Sequence, residues 1–378
     1  MPKSFDYIII GGGLAGLQLA LRFAEDPFFI KKKIAIIDPS EKVENDKTWC
    51  FWEKGEGRWE SIIHKTWESG RFLTSSKYLK FQLEPYHYKM VRSEDFYRFA
   101  KEKLSKSSNF EFIRDSISQI DQVNKVAQGT KDTYTGEHFF DSRINTDYLE
   151  NPKYSMLFQH FKGWIIETNT NRFDPDQFTM MDYRLKHNHS TSFTYILPLS
   201  STKALVEFTF FTPYLTDEAV YDENLSSYIK DFLEIENYSI LETEKGIIPM
   251  TDFPFHEEST SLVTKIGTGG SWVKGSTGYS FKHTEKKTAK IIDNIKAGKD
   301  PKTNLINKRF RWYDAIFLDV LKRKNKKGEK IFSKFYSKNS PENILKYLDE
   351  ETTPLEDIKI MLSLFDIEFI KSFFKKGF

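Results

Sequence analysis

The sequence predicts an α/β fold: a Rossmann-like dinucleotide-binding domain drawn from discontinuous segments, a second domain built on an antiparallel sheet, and a helical C-terminal region. Three observations predict it. A Gly-x-Gly-x-x-Gly turn, Gly11 to Gly16, stands between an apolar strand and a helix. Serial apolar strands with short connections begin at Gln159, a pattern of antiparallel sheets rather than of further βαβ units. A second glycine cluster, Gly267-Thr268-Gly269-Gly270, also leads towards a helix, so the chain is expected to return to the first domain.

The first strand, Tyr7-Ile8-Ile9-Ile10, is β-branched and apolar enough to be buried on both faces of a parallel sheet. Gly11, Gly13 and Gly16 let the backbone turn tightly and approach a ligand, and Leu14 and Ala15 open a helix whose dipole and free amides would hold a pyrophosphate. Leu14, Leu17, Leu21 and Ala24 keep helical spacing until Asp26-Pro27. The second strand, Ile34-Ala35-Ile36-Ile37, closes in Asp38, roughly 20 residues beyond the last glycine, where an acid bonds a ribose hydroxyl.

A charged loop then breaks into Thr48-Trp49-Cys50-Phe51-Trp52. So many rings after a polar loop suit either an interface between domains or the wall of a ligand pocket. Short antiparallel strands follow to about Phe81. Arg92 precedes a helix expected from an N-cap at Ser93 to about Leu104. Weak strands lie between Asn109 and Ser142, the clearest being Phe110 to Ile113, with a hairpin over Gln119 to Gly136.

The second domain is expected from the strands Gln159 to Thr168, Thr191 to Leu197 and Lys203 to Phe211, a helix from Leu225 to Leu233 and a strand from Glu242 to Pro249. The strand Leu262 to Ile266 leads into the second glycine cluster, and Gly275-Ser276-Thr277-Gly278-Tyr279 precedes a helix over Lys286 to Ala297. Beyond Pro301 the chain reads as helical. Its last helix aligns Phe365, Phe369, Ile370, Phe373 and Phe374 beside lysines, which suits either a membrane interface or packing on its own domain.

Composition excludes some classes of function. A formal net charge of +2 gives no global sign of nucleic-acid binding. Cys50 is the single cysteine, so no disulfide can form within the chain; with no charged and apolar stretch of the signal-peptide kind and a nucleotide-binding strand starting almost at Met1, the protein is expected to stay in the cytoplasm. No run approaches the roughly 18 apolar residues of a membrane span. The histidines show no metal-binding spacing, with His187 and His189 two apart, and no metal site is expected. Aromatic residues make up 16%, among them 34 Phe, which suits either an oily ligand or a bias of composition.

Five motifs in order together resemble the lycopene β-cyclase family, the bacterial flavoprotein branch. They are the Gly11 to Gly16 turn; Asp46-Lys47-Thr48-Trp49; Gly163-Trp164 with Phe173-Asp174-Pro175 and Met181-Asp182; Ala204-Leu205-Val206-Glu207-x-Thr209; and Gly267-Thr268-x-Gly270 with Ser276-Thr277-Gly278-Tyr279. The resemblance implies an FAD-binding fold of the hydroxylase and glutathione-reductase type, an acyclic carotenoid such as lycopene as substrate, and reduced FAD kept so by NAD(P)H or a membrane reductant. It implies peripheral attachment at the inner face of the cell membrane. It makes Glu207 the acid–base residue, and burial within the apolar run Ala204 to Phe211 would raise the pKa of that carboxyl, as an acid requires. Cofactor contacts are expected from Gly11, Gly13, Leu14, Ala15, Gly16, Asp38, Arg92, Gly267, Thr268, Gly270, Thr277 and Gly278, and aromatic faces sheltering a carbocation from Trp49, Trp52 and Tyr279.

Two departures stand out. Gly275 replaces a proline frequent in the family, and Thr268 follows Gly267 where flavin hydroxylases carry a Gly-Asp pair, which argues against a hydroxylase. An isoprenoid or lipid reductase, a monooxygenase, and a non-catalytic prenyl-lipid-binding protein of the same fold are the competing readings. The expected domains are 1–58, 90–150 and 262–300 for the cofactor, 59–89 and 151–261 for the substrate, and 301–378 for the helical region.

Overall fold

A computed structural model describes residues 3–377; Met1, Pro2 and Phe378, at the ends of the expected domains, lie outside the described residues. From the N-terminus, β1 (Lys3–Ile10), α1 (Leu14–Glu25) and β2 (Ile34–Asp38) form the βαβ unit. Then come β3 (Thr48–Lys54), β4 (Lys65–Trp67), β5 (Ser69–Leu73), β6 (Tyr78–Gln82), β7 (Tyr86–Arg92) and α2 (Ser93–Leu104). After them run β8 (Phe110–Arg114), β9 (Ile117–Asp121), β10 (Val126–Gly129) and β11 (Thr133–Asp141). The next part holds β12 (Met156–Glu167), β13 (Gln177–Asp182), β14 (Ser192–Pro198), β15 (Lys203–Thr212), α3 (Glu218–Asp231), β16 (Ser239–Thr251) and β17 (Val263–Lys265). The helices α4 (Phe281–Lys296), α5 (Lys308–Arg323), α6 (Gly328–Lys338), α7 (Pro341–Leu348), α8 (Pro354–Ser363) and α9 (Ile367–Lys376) follow.

In the first sheet β8, β2, β1, β11 and β17 run parallel in that order, and β10 and β9 extend it antiparallel from the other end of β11. Alternate side chains of β1 and β2 feed two cores, Ile9, Ile34 and Ile36 into one and Ile8, Ile10, Ala35 and Ile37 into the other. This two-sided burial is what a parallel sheet between helices demands. The helix α4 packs on α1, so the chain does return to the first sheet after the second glycine cluster.

The second sheet has the order β16-β12-β15-β14-β13-β5-β6, antiparallel except where β13 meets β5. Residues alternate between its faces. Val206, Phe208 and Phe210 pack beneath α3, whereas Leu205 and Phe211 face a core shared with Leu318, Phe332, Phe335 and Leu345 of the C-terminal helices. The third sheet has the order β3-β7-β4; its Phe51 and Val91 pack in the core of the first sheet and its Trp52, Trp67 and Tyr88 in that of the second.

Several details differ from the sequence reading. Of the segment 59–89, β5 and β6 join the second sheet, β4 and β7 pair in the small one, and Trp59 lies in the core of the first domain. Ser93 is the first residue of α2 and Arg92 stands at its cap; the Ser93 hydroxyl accepts instead from the Lys47 N–H, at 3.0 Å. The helices α3 and α4 begin several residues earlier than the sequence reading placed them: Val220 and Tyr221 of α3 already pack against the core beneath it, and α4 opens on the buried Phe281. Among the described residues no helix is long and apolar enough to cross a membrane.

Candidate active site

At the end of β1, Gly11 has φ +105° and Gly16 packs so closely that a Cβ there would sit 2.0 Å from the Gly11 carbonyl oxygen. A side chain at either place would open the turn. A Cβ on Gly13 would meet nothing within 4 Å, so the backbone is open to a ligand on that side. No side chain caps α1 and no acid lies in its first turn, which leaves the start of the helix, at Leu14 and Ala15, electropositive. Asp38 accepts from the Gly12 N–H and the Ser40 N–H, both at 2.7 Å, and thereby fixes the turn while each oxygen keeps a lone pair for a hydroxyl. The turn and Asp38 thus fit the diphosphate and ribose of a dinucleotide.

The second glycine cluster meets the first. Gly267, at φ +60°, lies where a Cβ would come within 3.1 Å of the Ala15 Cβ, and Gly270 would clash at 2.4 Å with the Lys265 carbonyl oxygen. Thr268, next in line, borders a cleft of about 590 Å³ between the first domain, the second sheet and α6. Thr277 and Gly278 border it too. The Thr277 Oγ1 and the Gln159 Oε1 are buried on its wall with no hydrogen-bond partner in the protein. Orphaned polar atoms beside a glycine-lined opening are what a bound heterocycle would satisfy, so the cleft fits the ring end of the same cofactor.

Arg92 is placed otherwise than expected. Its guanidinium makes two bonds to Glu242, at 3.1 and 2.8 Å, and approaches Glu94 at 3.1 Å, and it does not border the cleft. Its charge is committed to carboxylates. Trp52 is likewise removed from the wall: it is buried behind Tyr279, with ring centroids 4.7 Å apart. Trp49 and Tyr279 do line the cleft.

Opposite the cofactor side stands the second sheet. Glu207, 7% exposed, projects from β15 into the cleft, and the Thr209 Oγ1 donates to its Oε1 at 2.5 Å. Burial, and next the nearby charge of Glu244, push its carboxyl up to about 8, against the pull of the Thr209 bond. Glu244 is the partner that sequence reasoning missed. In register, Gly163 of β12 faces Glu207 on one side and Glu244 of β16 on the other. A Cβ on Gly163 would lie 3.3 Å from the Glu207 Cβ and 3.4 Å from the Glu244 Cγ, so the glycine leaves room for two carboxyls to share one patch.

Glu244 also has its pKa raised, chiefly by burial, while the Thr48 hydroxyl donating at 2.6 Å favours its charged form. Like charges this close cannot both ionise freely, so the pair holds a proton more readily than either group alone.

Around the carboxyls the wall is aromatic and apolar, including Phe161, Phe193, Leu205 and Phe211. Hydroxyls join Tyr195, Tyr88 and Tyr279, with Tyr88 at 2.8 Å and 3.0 Å from the other two. The Cys50 thiol, also on the wall, is pushed up to about 12 by burial, which keeps it in the protonated form. Asp182 and Asp174 stand apart: Asp182 is fully buried against Arg184 and Tyr228, and Asp174 is exposed in a turn. The cleft can therefore donate and accept a proton among aromatic faces.

Comparison with solved structures shows a flavoprotein fold. A geranylgeranyl bacteriochlorophyll reductase-like protein from Thermoplasma acidophilum superposes with a TM-score of 0.61 at 11% identity over 100% of both chains. A flavin-dependent brominase gives 0.59 at 12% identity, over 99% of this chain and 100% of the other. A 2-methyl-3-hydroxypyridine-5-carboxylic acid oxygenase gives 0.61 at 7% identity, over 93% of this chain and 98% of the other. A search of curated protein sequences returns no match. The family model described as lycopene cyclase protein matches residues 6–373, from the first strand into α9, and by that match the chain belongs to the lycopene cyclase family.

Proposed function

We propose that the protein is a lycopene β-cyclase, an isomerase that closes ψ-ends of lycopene or another acyclic carotenoid into β-rings, giving γ-carotene or β-carotene, with no net redox change. The observation that carries this reading is the pair of carboxyls, Glu207 and Glu244, on either side of Gly163 in an aromatic cleft. Ring closure needs an acid, a dry shelter for a cation and a base. Protonated Glu207 supplies the first. The Thr209 hydroxyl occupies its Oε1, which leaves Oε2 to present a proton to the terminal double bond.

The carbocation that forms on closure is held by the π-faces of Trp49, Phe161 and Tyr279, whose apolar surroundings exclude the water that would quench it. Glu207, now a carboxylate, takes a proton from the ring carbon and is restored. Glu244 keeps the proton affinity of Glu207 high and offers a second acceptor. FAD would be held by the Gly11–Gly16 turn, Asp38, Gly267, Thr268, Thr277 and Gly278, and in reduced, anionic form supplies a negative ring that stabilises a neighbouring cation. NAD(P)H serves in this reading only to keep it reduced. A carotenoid dissolves in bilayers, so the protein is proposed to work in the cytoplasm, peripherally at the inner face of the cell membrane.

The test is expression in cells that accumulate lycopene, with pigments separated by chromatography. Cyclic carotenes are expected, and the Glu207→Gln variant should keep bound flavin and yield none. Unchanged lycopene in the presence of flavin-loaded parent protein would refute the assignment.

A further inference from the structure

The helix α9 is mounted the wrong way round for a surface helix, which ordinarily buries its apolar stripe and exposes its polar one. Its buried residues are Glu368 and Ser372. The Ser372 hydroxyl donates to Asp319 at 2.5 Å and accepts from Arg323 at 2.7 Å, Arg323 pairs with Glu368 at 2.6 Å, and Lys375 pairs with Asp319 at 2.6 Å. These bonds to α5 fix the rotation of the helix. Its apolar side is left to face elsewhere.

That side borders a second cavity, of about 400 Å³, enclosed by α5 to α9. Phe369 and Ile370 of α9, Met361 of α8 with Leu364 at its C-terminal cap, and Ile316 and Phe317 of α5 line it. Its rim is also apolar and stands in solvent: Leu362 is 65% exposed, Phe365 62% and Phe374 78%. At its inner end the cavity shares Thr277, Phe332, Phe335 and Leu348 with the cleft that holds Glu207. One layer of side chains separates the two spaces.

We propose that this second cavity is a binding site for the unreacted length of a long linear hydrocarbon whose end lies at Glu207, threaded past Phe332, Phe335 and Leu348 and entering between α8 and α9. The nature of the reacting end rests on the cyclase reading; the cavity itself does not. Three features select that occupant. An apolar cavity holds water poorly and takes apolar guests. A cleft of about 590 Å³ that must also admit a flavin ring is small for an entire polyene, because pockets of roughly 300–1,000 Å³ serve single drug-sized ligands. Finally, the outward apolar rim leads into the cavity rather than covering it, which suits a guest arriving from a lipid phase.

The chain has one native thiol, Cys50, on a different peptide and in the other cleft, so a cysteine placed in the second cavity is followed apart from it when alkylation is read peptide by peptide. Met361→Cys puts it on the cavity wall, and Val123→Cys, at a site 91% exposed on a distant turn, is the control. Each full-length, flavin-loaded variant is mixed with phosphatidylcholine vesicles, either empty or loaded with lycopene. Alkylation by N-ethylmaleimide is timed by peptide mass spectrometry, and cyclised product is measured in the same samples. The expected result is at least five-fold slower alkylation at position 361 with loaded vesicles than with empty ones, and no change at position 123. Equal rates at position 361 overturn the proposal whatever the product analysis shows. Protection without cyclised product supports the cavity and removes the cyclase reading; product without protection does the reverse.

Discussion

If Glu244 raises the proton affinity of Glu207 through its charge, removing that charge should move the alkaline limb of the activity profile downwards. The Glu244→Gln substitution does this with little change of shape and keeps an oxygen for the Thr48 hydroxyl, 2.6 Å away. The magnitude follows from the sheet. Glu207 and Glu244 lie on strands flanking β12, both opposite Gly163, so their backbones are about 10 Å apart at roughly 4.8 Å per strand. Two unit charges at that distance in an effective dielectric of about 20 interact by about 1.7 kcal/mol, or about one pH unit.

Burial and Glu244 hold the parent carboxyl up at about 8, and the proposed cyclisation requires its protonated form, so activity should fall as pH rises through that value. In Glu244→Gln the fall should come about one unit lower. At pH 8 the parent would be about half protonated and the variant about a tenth, a loss of roughly five-fold, whereas below pH 6 the two should converge. The assay is the initial rate of cyclic carotene formation from lycopene in vesicles, with reduced FAD, between pH 5.5 and 9. A limb that stays in place or moves upwards in the variant would refute the electrostatic pairing, and a uniform loss at every pH would show that Glu244 acts in some other way.

Other substitutions test the neighbouring geometry. Gly163→Ala should lower cyclisation at least ten-fold and stability by about 1–3 kcal/mol in a denaturant titration while flavin absorbance is retained, because its Cβ would meet the Leu205 Cδ1 at 2.9 Å and press on both carboxyls. Gly16→Ala should abolish flavin retention on gel filtration, since a Cβ cannot sit 2.0 Å from the Gly11 carbonyl oxygen without opening the turn. Arg92→Ala should retain flavin within about two-fold of the parent affinity, as its charge is spent on Glu242 and Glu94; a tenfold loss would restore it to the cofactor site. Glu207→Gln should gain thermal stability over the parent as pH rises from about 5 to 8. The native carboxyl stays protonated across that window while the unfolded one does not, so the parent loses stability there and the amide does not; a difference independent of pH would count against the raised pKa.

What the sequence disclosed was local. The βαβ unit is encoded within a short stretch whose glycines and apolar strands can be read without knowing any contact, and Glu207 could be singled out because an acid inside Leu205 to Phe211 contradicts its neighbours. The second carboxyl could not be found that way. Glu244 lies among Glu242, Thr243 and Lys245 on the edge strand β16, where charge looks ordinary, and its pairing depends on a register set by Gly163 far away in the chain. The whole run Glu244 to Pro249 borders the cleft, so no alternation along β16 marks Glu244 out. The placement of Arg92 and Trp52, off the cleft wall, could not be read for the same reason. Spacing brings each close to the cofactor side, but whether a side chain points into the cleft or to Glu242 or Tyr279 is decided by strands that meet only in the fold.

The Thr48 bond to Glu244 joins residues 196 apart, and α6 and α7 add Phe332, Phe335, Tyr336 and Leu348 to the wall of the cleft. A chain emerging from the ribosome can fold its first nucleotide-binding unit early, yet until α7 has been made the carboxyls face water and could protonate nothing selectively. Completion of the cleft thus waits on helices made well after the strands that carry its carboxyls.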